Sequence, residues 1–527
     1  MPPAPPDPAV APPEAPPEAP PEAPSDSPLR AADGRPVSVV HLAGELAPYA
    51  RTGGLGEAVS SLAAHQAATG LPAAVVLPLY RQARARLPQL VPVGGAYEVQ
   101  VGARRERAQL YTTPESGPPT GTRERRQRRR AAHYFVANEY YFGREGIYGD
   151  GGGDYGDNGR RYAFFCAAAL AALPRLVAGP AVLHAHDWHT ALAPTYLRTW
   201  WADDPFYRQL SAVLSVHNAG FQGHLPSAAI EELGLPWAIY NHHQAEWYGR
   251  FNALKAGLAF ADAVATVSPN HAAELRTPEG GFGLHDAFRA LGARFTGILN
   301  GIDQTIWDPA VDHRIAAPYT RADLAGKHAC RRTLQRDYGL PERDDVPIFA
   351  MAARLVWQKG LDLILADTGF LDLDAQFVFL GAGEPRYVDA LRAWQRRAPD
   401  RVRVDTSFTD VQEHRLIAGA DALLMPCQYE PCGLTQMRAQ RYGTLPLVRR
   451  VGGLADTVED GVTGFVFGDY DPRAFLATAL RLVRTFHDPG GAWDRMMRTA
   501  MARDFGWERS EERYVAMYRR VLRTPDR

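Results

Sequence analysis

Cysteine is scarce: the 527 residues include only Cys166, Cys330, Cys427 and Cys432. Thiols so few and so scattered cannot supply a disulfide framework, and they point to a reducing cytosol. Cys427 and Cys432 lie five residues apart, but no second pair completes a zinc site. No apolar run approaches the ~18 residues of a membrane-spanning helix. Proline and glutamate stand at the N-terminus, where a secretory signal needs a basic and then an apolar stretch. The net charge is −1, so no global field favours nucleic acid or a membrane surface. These absences together predict a cytoplasmic protein with neither of those partners.

The composition is otherwise that of a globular protein, 46% hydrophobic and 22% charged. The length exceeds one typical core, so two or three domains are expected. Residues 1–36 stand apart. Pro-Pro-Glu-Ala recurs at 12–15, 16–19 and 20–23, a composition that favours disordered polyproline II. It reads as a solubilising tail or as a docking tether.

From Val37 the pattern alternates between apolar strands and helices. Strands are predicted at 37–43, 73–79, 133–137, 181–185, 211–216, 262–267 and 296–299, with helices at 57–69, 159–176 and 189–200. A second series follows at 346–352, 376–381, 402–406, 422–426, 445–449 and 464–467. Such alternation predicts an α/β protein with parallel sheets covered on both faces. The expected plan has a Rossmann-like domain over 37–309 and a connection over 310–345 holding a helix at 321–338. A second Rossmann-like domain follows over 346–503, and a C-terminal helix lies within 504–527. Ligands would sit in the cleft at the carboxyl ends of the strands. One segment breaks the rhythm. Arg104, Arg105, Arg107, Arg123, Arg125, Arg126, Arg128, Arg129 and Arg130 cluster between two strands. They predict a solvated, mobile loop, or a contact for a polyanion, although no aromatic residues interleave to stack on bases.

Five constellations carry chemistry. Arg51-Thr52-Gly53-Gly54-Leu55-Gly56 follows the first strand and opens a helix. Such a turn brings backbone N–H groups and the positive helix end close to a phosphate. His184-Ala185-His186-Asp187-Trp188-His189 ends another strand. It suits a metal site, with His217 as a further ligand, or a cleft in which Asp187 receives sugar hydroxyls while the histidines pack. His217-Asn218 ends the next strand and suits hydroxyl recognition. Arg354 and Lys359, five residues apart after the first strand of the second series, suit a diphosphate. Glu430 precedes Gly433, Leu434 and Thr435, which open a helix able to hold phosphate oxygens. Gly383, in a further glycine turn, is either a pocket wall or a tight turn.

Read together, these segments resemble the bacterial glycogen synthase and plant starch synthase family, from about Val37 to the C-terminus. Besides the runs already quoted, the likeness rests on Gly146-Ile147-Tyr148-Gly149-Asp150, Leu254-Lys255-Ala256-Gly257-Leu258 and Val267-Ser268-Pro269. It also rests on Leu299-Asn300-Gly301-Ile302-Asp303, the stretch Arg354 to Gly360, Glu430 to Gln436, and Gly452-Gly453-Leu454-Ala455-Asp456-Thr457. The resemblance implies a GT-B fold, two doubly wound domains facing across a cleft. It implies transfer of glucose from ADP-glucose to the non-reducing end of glycogen or another α-1,4-glucan, with retention and with no metal or other cofactor. It also implies that the C-terminal helix crosses back onto the first domain.

Carried over by residue, Arg354 and Lys359 would stabilise the departing diphosphate, and Glu430 would bind the donor glucose. His217 and Asp187 would hold donor hydroxyls. Arg51, Thr52, Gly53, Gly54, Gly433, Leu434 and Thr435 would approach the donor phosphates, Gly383 would wall the nucleotide pocket, and Phe408 would lie under the adenine. Asn218 and Tyr148 would be sugar-side contacts. The lack of an obvious second carboxylate nucleophile suggests departure and attack on one face of the sugar, with double displacement as the alternative. The chain departs from the family at Arg51, where Lys is usual, and has Glu57 where Asp is commoner. Arg438 stands where many other GT-B enzymes have a second Glu. Competing readings are a UDP-glucose-using or other GT-B glucosyltransferase, a silent glucan-binding protein, and a metal hydrolase built on the histidines.

Overall fold

A computed structural model of the chain describes residues 28–87, 89–114, 130–151, 153–366 and 369–522. Two parallel sheets organise it. The main strands of the first are β1 (Ser38–Leu42), β2 (Ala73–Pro78), β3 (Arg104–Thr112), β4 (Ala132–Ala137), β5 (Ala181–His186), β6 (Leu210–Val216), β7 (Ala263–Thr266) and β8 (Phe295–Gly297). Their spatial order is β8-β7-β6-β5-β1-β2-β4-β3. Every neighbouring pair is parallel except β4 and β3, which are antiparallel. The second sheet contains β9 (Ile348–Ala352), β10 (Gln376–Leu380), β11 (Val402–Asp405), β12 (Ala422–Met425), β13 (Leu445–Arg449) and β14 (Phe465–Phe467). It runs β11-β10-β9-β12-β13-β14 and is wholly parallel. The chain therefore reverses its winding between β9 and β12, and between β1 and β5 in the first sheet. Crevices for ligands open at such switch points.

The central strands are buried on both faces, which is why they read as continuous apolar runs rather than alternating ones. Val39, Val40 and Leu42 of β1 are all buried, and so is His41 between them. A polar ring in such a strand must find hydrogen-bond partners inside the protein. Helix α1 (Gly54–Ala68) turns Val59, Leu62, Ala63 and Gln66 inward. Helix α2 (Thr435–Arg441) opens just past Gly433, as its glycine turn predicts. The C-terminal helix α3 (Glu508–Leu522) lies on the first domain, its Tyr514, Met517 and Tyr518 packed among Val39, Val182 and Val213.

Two expectations need correction. The disordered tail does not reach residue 36: Leu29 is fully buried and Arg30 forms a β-bridge with Pro36. The repeats at 12–23 lie outside the described residues. Arg104, Arg105 and Arg107 are not in a loop. They belong to β3, whose exposure alternates with buried Ala108, Leu110 and Thr112. The inward Ala108, Leu110 and Thr112 leave only a short apolar signal, and the arginines before them hide it. Residues 115–129, with the arginines from Arg123 to Arg129, lie outside the described residues.

Candidate active site

The loops that leave β1, β5 and β6 face those that leave β9 and β12. On the second-domain side, Lys359 sits in a short 3-10 turn after β9, and its Nζ pairs with the Glu430 carboxylate. Both residues are largely buried. Burial pulls the Lys359 pKa down, but the Glu430 charge outweighs it and the pKa rises overall. The Cys427 thiol donates to Glu430 Oε2 at 3.6 Å. Gly360 has φ 73°, and a Cβ there would lie 1.9 Å from the Pro426 carbonyl, so only glycine lets the two loops meet. Arg354 is exposed and forms no ion pair among the described residues. Gly383 forms a β-bridge with Leu355, which couples its turn to the Arg354 loop. Phe408 is 43% exposed.

On the first-domain side, Glu45 follows β1 and collects four hydrogen bonds. Thr52 N–H donates at 2.7 Å, Thr52 Oγ1 at 2.8 Å, Gly53 N–H at 3.2 Å and Tyr148 Oη at 2.7 Å. The amides expected to meet phosphate are therefore held by a carboxylate. Tyr148, read as a sugar-side contact, buttresses it. Gly54 faces the second domain, and a Cβ on it would stand 3.8 Å from Leu434 Cδ1. The glycine loop and the Gly433-Leu434-Thr435 turn thus confront each other across the cleft. Arg51 reaches the second domain as well, pairing with Asp410 while Glu57 lies 3.8 Å away.

Asp187 adopts φ 59°, and its Oδ1 accepts from the backbone N–H of His217 at 2.6 Å and of Asn218 at 3.2 Å. Its geometry shapes the His217 loop. Burial raises its pKa to about 7, against the pull of those two donors. Asn218 contacts Tyr429 of the second domain, whose ring also meets Phe282 edge-on at 5.0 Å.

The ring nitrogens of His41, His184 and His186 approach within 4.8 Å of one another, the cluster a metal would need. They are already occupied. His41 Nδ1 lies 3.0 Å from His186 Nε2, and His41 Nε2 lies 2.8 Å from Gln66 Oε1. His184 bonds Tyr518 Oη at 2.8 Å and Ser215 Oγ at 2.7 Å. His186 Nδ1 continues to His217 Nε2 at 3.0 Å. Burial holds all four rings neutral, His41 at a pKa of about 4 and His217 at about 3. The cluster is a hydrogen-bonded array, not an open donor set.

Sequence reasoning missed Glu45, Gln66, His41 and Asp410 as parts of this region. Glu45 and His41 did leave a signal, a polar residue at or inside an apolar strand run. Asp410 left none, because its partner Arg51 is 359 residues away.

Two facing Rossmann-like domains, with cations and a carboxylate on one wall of the cleft and a glycine loop on the other, define a glycosyltransferase of the GT-B class. The starch synthase catalytic domain family matches residues 38–290, and the group 1 glycosyl transferases match 335–485. A glycogen synthase of Anaeromyxobacter sp. (strain Fw109-5) is 43% identical over 490 residues, 92% of this chain and 99% of that protein. One from Syntrophotalea carbinolica is 38% identical over 493 residues, covering 92% and 99%. The catalytic domain of starch synthase IV from Arabidopsis thaliana, solved bound to ADP and acarbose, superposes with a TM-score of 0.83 at 29% identity, covering 93% of this chain and all of that one. The chain belongs to the glycogen synthase family. No helix among the described residues is long and apolar enough to cross a membrane.

Proposed function

We propose that this protein transfers glucose from ADP-glucose to the non-reducing end of an α-1,4-glucan, with retention of configuration and without a metal. The observation that carries the reading is the cleft wall where Lys359 and Glu430 pair beside exposed Arg354, with Asn218 and Gly54 of the first domain meeting Tyr429 and Leu434 of the same wall. Arg354 and Lys359 neutralise the diphosphate as it leaves, the electrostatic help that dominates such reactions. Lys359 is released from Glu430 to do so, and Glu430 is then free to accept from a donor-sugar hydroxyl. Thr52, Gly53 and Gly54 turn their amides from Glu45 to the phosphates, joined by Gly433, Leu434 and Thr435. His217 and Asn218 hold sugar hydroxyls, Asp187 fixes the backbone of both, and Phe408 supports the adenine. The ADP and acarbose of the starch synthase IV structure match these ligand classes in a fold of high likeness. The four cysteines are unpaired, in keeping with a cytoplasmic setting.

The test is glucose incorporation into glycogen from ADP-glucose and UDP-glucose side by side, with EDTA present. Transfer from ADP-glucose is expected. Preference for UDP-glucose would move the donor assignment, and loss of activity in EDTA would overturn metal independence. No transfer from either donor would leave a glucan-binding protein.

A further inference from the structure

The buried histidines form one directed chain, and its direction decides what His217 offers the cleft. Gln66 lies on α1, His41 on β1, His186 at the end of β5 and His217 just past β6. Each link is a hydrogen bond of 2.8 to 3.0 Å. A neutral imidazole carries a single N–H, so one nitrogen donates and the other accepts. Polarity set at one end therefore propagates to the other. The far end is anchored at Gln66. Its amide N–H donates to Tyr518 Oη at 3.3 Å, which leaves Oε1 to accept from His41 Nε2–H. His41 Nδ1 must then accept from His186 Nε2–H, and His186 Nδ1 from His217 Nε2–H. Tyr518 Oη–H donates to His184 Nδ1, and His184 Nε2–H donates to Ser215 Oγ. Every imidazole N–H in the array meets an acceptor.

We infer that Gln66, His41 and His186 are positioning residues that lock His217 in its Nε2–H tautomer, so that Nδ1 presents a lone pair to a hydroxyl proton of the donor sugar. Nδ1 has no hydrogen-bond partner among the described residues. This assignment rests on the reading that His217 touches the donor. The low pKa values of these buried rings agree with a chain of neutral imidazoles. The anchor also ties the cleft to the C-terminal helix, because Tyr518 of α3 orients the Gln66 amide.

The experiment is long-range proton–nitrogen NMR on the full chain with nitrogen-15-labelled histidine, signals being assigned by single histidine substitutions. Protons on Nε2 of His41, His186 and His217 are expected. A proton on Nδ1 of His217, the reverse polarity, would overturn the inference. So would a stoichiometric metal found by elemental analysis with no N–H between His41 and His186. In Gln66→Met the anchor is lost. The His217 nitrogen shifts are expected to move toward tautomer averaging, with kcat for transfer down about 10-fold. Unchanged shifts and kcat in a folded variant would also overturn it. If that variant does not fold, the native tautomers still decide. Absence of transfer by the native protein with the expected tautomers would instead sink the donor reading and leave the directed chain standing.

Discussion

Arg438 of the second domain is salt-bridged to Glu57 of the first, and its other guanidinium nitrogen holds Glu413 at 2.8 Å. The guanidinium also stacks over Trp307 at 4.3 Å. Arg51 and Asp410 pair nearby, while Asn270 and Glu274 hold the Gly452–Thr457 helix from the first-domain side. The cleft is thus stapled at several points, and the residue that departs from the wider GT-B pattern, Arg438, forms the most buried of these staples.

Removing either end of that staple is expected to open the cleft, but not equally. Arg438→Met leaves the buried Glu413 without its ion pair and Glu57 with only the 3.8 Å contact to Arg51, whereas Glu57→Gln leaves Arg438 still paired with Glu413. Breaking a buried ion pair costs about 3 kcal/mol, and the part-exposed Glu57 end costs less. Thermal unfolding should rank Arg438→Met as the weaker fold. Small-angle scattering with ADP should show both variants more extended than the parent. Equal compaction would show that the staple does not govern closure.

Removing the charge of Glu430 should show itself as a pH effect. In Glu430→Gln, the counter-charge that lifts the Lys359 pKa is gone, and burial, with the Arg354 charge nearby, then pulls it down. Lys359 would lose its proton at lower pH than in the parent. The kcat/KM profile should gain an alkaline fall that the parent shows only at higher pH. The maximal rate should drop ~100-fold or more, the usual scale for losing an electrostatic stabiliser. An unchanged alkaline limb would separate Lys359 from the chemistry.

Phe408 tests the nucleotide wall. Stacking of a base on an aromatic ring contributes about 1–3 kcal/mol, and the ring is exposed, so its removal should not disturb the fold. Phe408→Ala is expected to raise the KM for ADP-glucose ~10-fold, with kcat nearly kept. An unaltered KM would place the base elsewhere.

Much of this was legible because parallel strands buried on both faces leave uninterrupted apolar runs. The alternation of strand and helix, the glycine turn before α1 and the helix opening after Gly433 all followed from local rules. Strand β3 was hidden because its inward apolar residues are few and its first half carries three arginines. The cleft staples were illegible for another reason. Arg438 pairs with Glu57, 381 residues away, and no local pattern encodes a partner at that distance. Glu45 was missed because the same carboxylate could equally have been a surface charge; only the fold turns Thr52, Gly53 and Tyr148 toward it.

The docking of α3 should depend on pH with a definite sign. His65 Nε2 lies 3.0 Å from Glu511 Oε2, and the hydrogen bond to that carboxylate raises the His65 pKa above its ordinary value. A raised folded-state pKa gives stability that is fully present below the unfolded value of 6.5 and is lost as pH rises through the folded value. The parent should therefore exceed His65→Gln in melting temperature most at about pH 6. The gap should shrink above the raised pKa. Burial of His41, His184 and His186 works in the opposite direction, because their depressed values cost stability as pH falls below 6.5. That slope is common to parent and variant and cancels in the difference. A gap that stayed constant from pH 6 to pH 9 would show that the His65–Glu511 contact contributes by packing alone.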